Sequence, residues 1–331
     1  LKAKKPVNTK DLSVLIVGYN SRRLIDALLE GLAHELAPLD AEVVLVDNAS
    51  NDGTADHVAS QHSWVRLVRS EHNLGFAAGN NLAARHAQGR VLLLLNPDAL
   101  PEPGAIARGV ARLNSDPSVG LAGGRLIDEA GATQPSGRLF PNLAREFVVL
   151  SGLAARFPRS RLWGAMDRSW ADPAQPAQVD WVPGAFALMR HALFDSLGGF
   201  DERFFLYYEE VDLCRRIQAA GYRVMLWPDL RVKHIGGESA RTVQGAAVSR
   251  SGSQLTLWRA RSGLLYYRKN HGVVQVWAVN RLERGWHALR GFRAKLTGQA
   301  HKAAESTSHR GLLAQAWNDT LGGRVAPPRP W

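Results

Sequence analysis

Cysteine occurs once in 331 residues, as Cys214. Without a second thiol, an internal disulfide framework and a thiolate metal site are both excluded, and a reducing compartment is expected. Long apolar runs are missing too: nothing approaches the roughly 18 uninterrupted apolar residues of a spanning helix. Residues 1–10 carry lysines but not the apolar run of a secretory signal. These absences predict a protein of the cytoplasm or of a membrane surface. Acidic residues are scarce in one place only. Residues 250–331 hold 14 Lys and Arg against 3 Asp and Glu, whereas residues 1–249 balance 27 against 27, so the whole net charge of +11 sits in the last quarter. A neutral body with a basic tail predicts an anionic surface as partner.

What is present is ordinary for a folded chain, with 45% apolar and 21% charged residues. Short β-branched runs alternate with helical patterns through the first hundred residues, the signature of a parallel sheet covered by crossover helices. Leu12–Val17, Val43–Val46, Val65–Val68 and Val91–Leu95 read as strands. Leu24–Leu36, Ala55–His62 and Ala77–Ala87 read as the helices between them. Beyond Gly123 the alternation breaks, and residues 128–180 are expected to form loops and mixed strands. A helix from Glu209 is expected to stop at Gly221, followed by short closing strands at Val224–Trp227 and Arg231–His234. The reading divides the chain into a tail at 1–10, an α/β domain at 11–245 and a basic, amphipathic, largely helical region at 246–331.

Ligands of open α/β sheets bind beyond the carboxyl ends of the strands. Here those positions are polar each time: Gly18-Tyr19-Asn20, Asp47 through Gly53, Asn73-Leu74-Gly75 and Asn96-Pro97-Asp98. The first turn lacks the G-x-G-x-x-G pattern by which a dinucleotide fold brings its backbone to a pyrophosphate. A diphosphate bound here needs another counter-charge, and Asp98 offers a hard oxygen ligand for Mg²⁺ or Mn²⁺.

The segments "VLIVGYNS" from Val14, "VDNASNDGT" from Val46, "NLGFAAGNN" from Asn73, "LLLLNPD" from Leu92, "WVPGA" from Trp181, "GGFDERFFLYYEEVDLCRR" from Gly198 and "VKHIGG" from Val232 together resemble the family 2 glycosyltransferases, in particular the rhamnosyltransferase-like members. The resemblance implies a GT-A fold, the nucleotide-diphospho-sugar transferase arrangement of a mostly parallel twisted sheet flanked by helices. It implies an inverting transfer from a nucleotide diphosphate sugar, dTDP- or UDP-linked, to a glycan or polyprenyl-linked hydroxyl in envelope polysaccharide synthesis. Tyr19, Asn20, Asp47, Asn73 and Gly75 would hold the nucleoside, with Asn96 and Asp98 at the diphosphate. Asp98 and His234 would ligate the metal. Glu210 takes the position of the catalytic base, with Glu209 as its substitute. Trp181, Gly184, Ala185, Asp201 and Asp212 would shape the sugar and acceptor pocket.

This sequence departs from the pattern twice. Asn96 stands where many members have an acid, and Glu210 stands where the base is usually Asp. The departures leave a catalytically inactive sugar-nucleotide-binding scaffold as the alternative to an enzyme. Within the enzyme class, L-rhamnose from dTDP-rhamnose is favoured over another hexose or galactofuranose by subfamily resemblance. Bland readings exist for each residue: caps and turns for the polar strand ends, helix-dipole acids for Glu209, Glu210 and Asp212, and a solvated face for the tail. In the tail, Trp258, Leu264, Leu265, Tyr266 and Tyr267, and then Leu282, Trp286, Leu289, Phe292 and Leu296, mix with arginines in the manner of an interfacial segment. Peripheral contact with an anionic membrane is expected, at the inner face. Nucleic acid is not expected, for no module that reads it is recognisable. A homodimer is compatible with this reading.

Overall fold

The computed structural model describes residues 9–235 and 248–330. The expected tail at 1–8, the boundary at 245/246 and the two glycines of "VKHIGG" lie outside the described residues. The strands are β1 (Lys10–Gly18), β2 (Ala41–Asp47), β3 (Arg66–Arg69), β4 (Gly89–Leu95), β5 (Ala99–Pro101), β6 (Val119–Ile127), β7 (Ala177–Gln178), β8 (Phe186–Arg190) and β9 (Arg223–His234). The helices are α1 (Ile25–Leu36), α2 (Thr54–Gln61), α3 (Gly75–His86), α4 (Ala105–Ser115), α5 (Leu143–Leu150), α6 (Leu153–Arg156), α7 (His191–Ser196), α8 (Glu209–Ala219), α9 (Val248–Leu296) and α10 (Ala300–Thr320).

One sheet orders the strands β3-β2-β1-β4-β8-β6-β9-β5, with β7 on the side of β9. The first four are mutually parallel, as their near-continuous Val, Ile and Leu runs require of strands covered on both faces. Side chains alternate between two cores. Val14 and Ile16 pack with α1, α2 and α4 on one face. Leu15, Val44, Val46 and Leu94 pack on the other with α3, α7 and α8, and this second core continues into Leu264, Leu265, Tyr266 and Tyr267 of α9.

Sequence reading missed β8, which runs antiparallel to both β4 and β6 and splits the parallel sheet. Five residues are too short to show a period. The two expected closing strands are one strand, β9, whose register against β6 jumps where Trp227 gives way to Arg231. The intervening residues bulge, and Pro228 has no N–H to donate to a ladder. α9 is kinked at Gly272, whose backbone (φ 82°, ψ −179°) leaves the helical region.

Candidate active site

In β1, Gly18 lies level with Asp47 of β2, and Leu15 lies level with Leu94 of β4. Carrying the second register three residues on brings Pro97 and Asp98 to the same edge of the sheet. Asp47 and Asp98 thus stand two strands apart, about 10 Å at the usual strand spacing. Between and around them the post-strand loops are tied into one surface. The Asn20 N–H donates to Ser50 Oγ (2.9 Å) and the Asn51 N–H donates to Asn20 Oδ1 (2.9 Å). Asn48 knits the second loop to the third. Its side chain donates to Asn73 Oδ1 (2.9 Å) and accepts from the Leu74 N–H (2.8 Å), while Asn73 Oδ1 also accepts from the Gly75 N–H (3.0 Å). Asn48 was not among the expected site residues. Its place directly after Asp47, in the polar run that follows β2, was the signal available.

Asp47 is buried. One carboxylate oxygen accepts from the Ser50 N–H (3.1 Å), and the other is buried with no hydrogen-bond partner. Such an oxygen is costly unless a ligand donor meets it. Asp47, Ser50, Asn51, Arg69 and Ser70 line an open cleft of about 550 Å³. Tyr19 is half-buried beside Asn20, which adopts φ +51°.

Asp98 presents a second orphan: Oδ1 is buried, without a hydrogen-bond partner, and 3.5 Å from His234 Nε2. Ala99 pairs with His234 across β5 and β9, and the Ile235 N–H donates to the Asp98 carbonyl, so the two side chains are fixed by backbone pairing. Gln134 Oε1 lies 2.8 Å from His234 Nδ1, and Gln134 Nε2 donates to the His234 carbonyl (2.9 Å). That clamp assigns the ring proton to Nδ1 and turns the Nε2 lone pair toward Asp98. Two donors bound at about 2.1 Å and at right angles stand about 3 Å apart, so the pair fits a divalent cation. Asn96 is anchored through its backbone N–H to the Ala185 carbonyl (3.1 Å).

The segment expected to carry the base is a strained turn. Tyr207 and Tyr208 take consecutive left-handed conformations (φ +70° and +69°) immediately before α8. Non-glycine residues pay about 1–3 kcal/mol each for such backbone, and they cluster at functional sites. The turn presents Glu209 and Glu210, each with a buried Oε2 that has no hydrogen-bond partner. Burial, with Glu210 next to it, pushes the Glu209 carboxyl well above the ordinary range. Burial raises Glu210 to about 6, opposed by its own backbone N–H, by Arg138 and by the Val211 N–H. Burial thus raises both neighbouring carboxyls above the ordinary range. Gly75 explains how this turn meets the nucleoside loops: the Phe76 N–H donates to the Phe205 carbonyl (2.8 Å), and a Cβ on Gly75 (φ +77°) would lie 2.2 Å from that oxygen.

Beside Glu210, a cavity of about 350 Å³ is walled by Arg138, Trp181, Tyr207, Tyr208, Val211 and Arg259. The Arg138 guanidinium lies over the Trp181 ring at 4.6 Å. From Trp181 the chain passes Gly184, which packs against Phe76, to Ala185, the partner of Asn96. Four residues of chain, at most about 14 Å, thus link the cavity beside Glu210 to the corner that holds Asp98. A second cavity of about 500 Å³ shares the wall of Glu146, Tyr208, Thr256 and Arg259, and continues between α9 and α10 past Asn280, Glu283, His287 and His309. Burial and the neighbouring Glu146 hold Glu283 at about 7.

Asp201 and Asp212 meet elsewhere, in an ion cluster. Lys269 Nζ of α9 lies 2.8 Å from each, Arg203 also pairs with Asp201, and Arg216 pairs with the fully buried Asp212. The cluster fastens α9 to α8.

The model of the glycosyl transferase family 2 matches residues 13–197, more than half of the chain. The chain belongs to this family. An N-acetylglucosaminyl-diphospho-decaprenol L-rhamnosyltransferase of Mycobacterium tuberculosis is 30% identical over 237 residues, 68% of this glycosyltransferase and 76% of the relative. The Rhamnosyltransferase WbbL of Escherichia coli K12 is 25% identical over 240 residues, 69% and 85% of the two chains. Among solved structures, a mannosyltransferase of Pyrobaculum calidifontis in complex with GDP-Man and Mn²⁺ has TM-score 0.57 at 21% identity, covering 96% of this chain and 89% of its own. The glycosyltransferase therefore has the GT-A-type architecture that its motifs imply. The relatives of Mycobacterium tuberculosis and Escherichia coli are both named as rhamnosyltransferases.

Proposed function

We propose that this glycosyltransferase moves L-rhamnose from dTDP-rhamnose to a hydroxyl of a polyprenyl-linked glycan in one inverting displacement. The donor follows the rhamnosyltransferase relatives at 25–30% identity. The orphan oxygen of Asp47 accepts the pyrimidine N–H, and Tyr19, Asn20, Asn73 and Gly75 enclose base and ribose. Asp98 and His234 would hold Mg²⁺ or Mn²⁺, which when bound would supply positive charge to the departing diphosphate; Asn96 and Ala185 keep that corner in place. The acceptor enters the cavity beside Trp181, and ionised Glu210 takes the proton of its attacking hydroxyl.

What supports this reading is a pair of buried carboxylates with an unsatisfied oxygen: Asp98 follows Asn96, which is held to Ala185, and Glu210 adjoins Val211, which shares a cavity wall with Trp181. Glu210→Ala is the test. Transfer should fall by about 10²–10⁴-fold while dTDP-rhamnose binding is kept. A wild-type protein that binds the donor and transfers nothing to any glycan is a scaffold, and the catalytic reading fails. Thermal stabilisation by a panel of nucleotide sugars with Mn²⁺ or Mg²⁺ identifies the donor.

We also infer that the enzyme works at the inner face of a membrane. Among the described residues, no helix is long and apolar enough to span. Part of the expected interfacial segment is core instead: Trp258, Leu264, Leu265, Tyr266 and Tyr267 are buried against the catalytic domain. The apolar residues left exposed lie beyond Gly272, as Val273, Val274, Trp277, Leu289, Phe292 and Leu296. Arg281 stacks over Trp277, and Arg293 and Lys295 are exposed nearby. Apolar side chains interleaved with cations suit a surface of anionic lipid. Flotation with phosphatidylglycerol-containing liposomes, but not with neutral ones, is the expected result.

A further inference from the structure

On the sheet face opposite α8, two histidines converge on one aspartate. Asp26 stands in the first turn of α1, His57 in α2, and His62 at the end of α2. His57 Nε2 lies 2.6 Å and His62 Nε2 lies 3.0 Å from the same oxygen, Asp26 Oδ1, and the three donor atoms all fall within 4.8 Å of one another. The other Asp26 oxygen accepts from Arg22 Nη1 (3.0 Å), which fixes the carboxylate's rotation. Both helices are anchored in the core, α1 by Ile25, Leu28 and Leu29 and α2 by Val58, so the three groups are held by rigid elements. His62 is buried, while His57 and Asp26 remain partly open to solvent, which leaves a path for an ion and a water.

We propose that Asp26, His57 and His62 form a zinc site, separate from the corner of Asp98 and His234. Two imidazoles and a carboxylate are a borderline donor set that favours Zn²⁺ over Mg²⁺ or Mn²⁺. In a tetrahedron with bonds of about 2.0–2.1 Å, ligand atoms stand about 3.3 Å apart, so the observed contacts need adjust by only on the order of 1 Å. A Zn²⁺ would replace the two Nε2 protons that now face Asp26, each neutral ring carrying its proton on Nδ1 and water filling the fourth position. The Asp98 corner differs in kind. It offers a single imidazole and a carboxylate, and takes its remaining ligands from diphosphate oxygens. The zinc site also has a mechanical consequence, because the Arg22 N–H donates to Asp52 Oδ2 (3.0 Å), and Asp52 belongs to the loop between β2 and α2 that begins at Asp47. Clamping α1 to α2 braces the wall of the nucleoside cleft.

The test uses metal-stripped full-length protein, with Mg²⁺ and dTDP present in excess to fill the Asp98 corner. Calorimetric titration with ZnCl₂ should show one site, weakened at least tenfold in His57→Gln and in His62→Gln. Hydrogen exchange across residues 47–62 should slow on adding Zn²⁺. Co²⁺ bound to the wild type should give the intense visible absorption of a four-coordinate nitrogen and oxygen site, a readout that stands even where a variant misfolds. Absence of that absorption, or zinc binding of equal strength in a folded His57→Gln or His62→Gln variant, overturns the proposal.

Discussion

In its proposed role as base, Glu210 acts only when ionised, and burial raises its carboxyl to about 6. The enzyme's kcat/KM should therefore be flat above about pH 7 and fall towards tenfold per unit below 6, measured under donor-saturating conditions. The same shift has the opposite sign for stability. A carboxyl raised from 4.5 in the folded protein binds its proton more tightly there than in the unfolded chain. Its stabilising contribution is fully present below 4.5 and is lost as pH rises through 6. Glu210→Gln, though inactive, should accordingly be about 1–2 kcal/mol more stable than wild type at pH 7.5, and the gain should vanish at pH 4 in denaturant titrations. At the corner of Asp98 and His234, Gln134 orients the His234 ring. Gln134→Leu should raise the Mn²⁺ concentration needed for half-maximal activity by about 10–100-fold, with kcat recovering at saturating Mn²⁺. Gln134 was invisible in the sequence because it lies a hundred residues from its partner in a stretch without period. His234 stands out in the sequence because it ends a strand, and Asp98 because it closes the polar turn that follows one.

Elements decide how the two half-sites meet. The parallel strands β1, β2 and β4 were legible because strands buried on both faces must be written almost wholly in Val, Ile and Leu. β8 was not, since a short antiparallel insert resembles any apolar stretch. Nor could the sequence tell that Tyr207 and Tyr208 would adopt left-handed backbone, which only the packing of neighbours over-determines. Gly75 is the element-level joint, where α3 begins against the Phe205 carbonyl. Gly75→Ala should destabilise the fold by about 1–3 kcal/mol and weaken donor binding, read as a lower Tm and a higher Kd for dTDP. Unchanged values for both would mean that the loop after β3 and the turn before α8 are not coupled.

For the whole molecule, the tie between the catalytic domain and the C-terminal helices is ionic at its centre. Lys269→Met leaves Asp201 and the fully buried Asp212 short of a cation, with Arg216 still in place. A loss at the lower end of about 3–5 kcal/mol is expected, measured by thermal denaturation. The basic tail was legible as charge, but its two roles were not: composition alone cannot say that the aromatic residues before Gly272 face the core while several apolar residues after it face outward. Those helices also supply Asn280, Glu283, His287 and His309 to the larger cavity, beyond the family-matched residues 13–197. In the proposed reading the acceptor's route therefore has one wall outside the family-matched residues, whereas the cleft at Asp47 lies within them. Grafting α9 and α10 from a relative should redirect which glycan is extended while the sugar delivered stays the same, so a lineage can acquire a new recipient by recombination at a single seam.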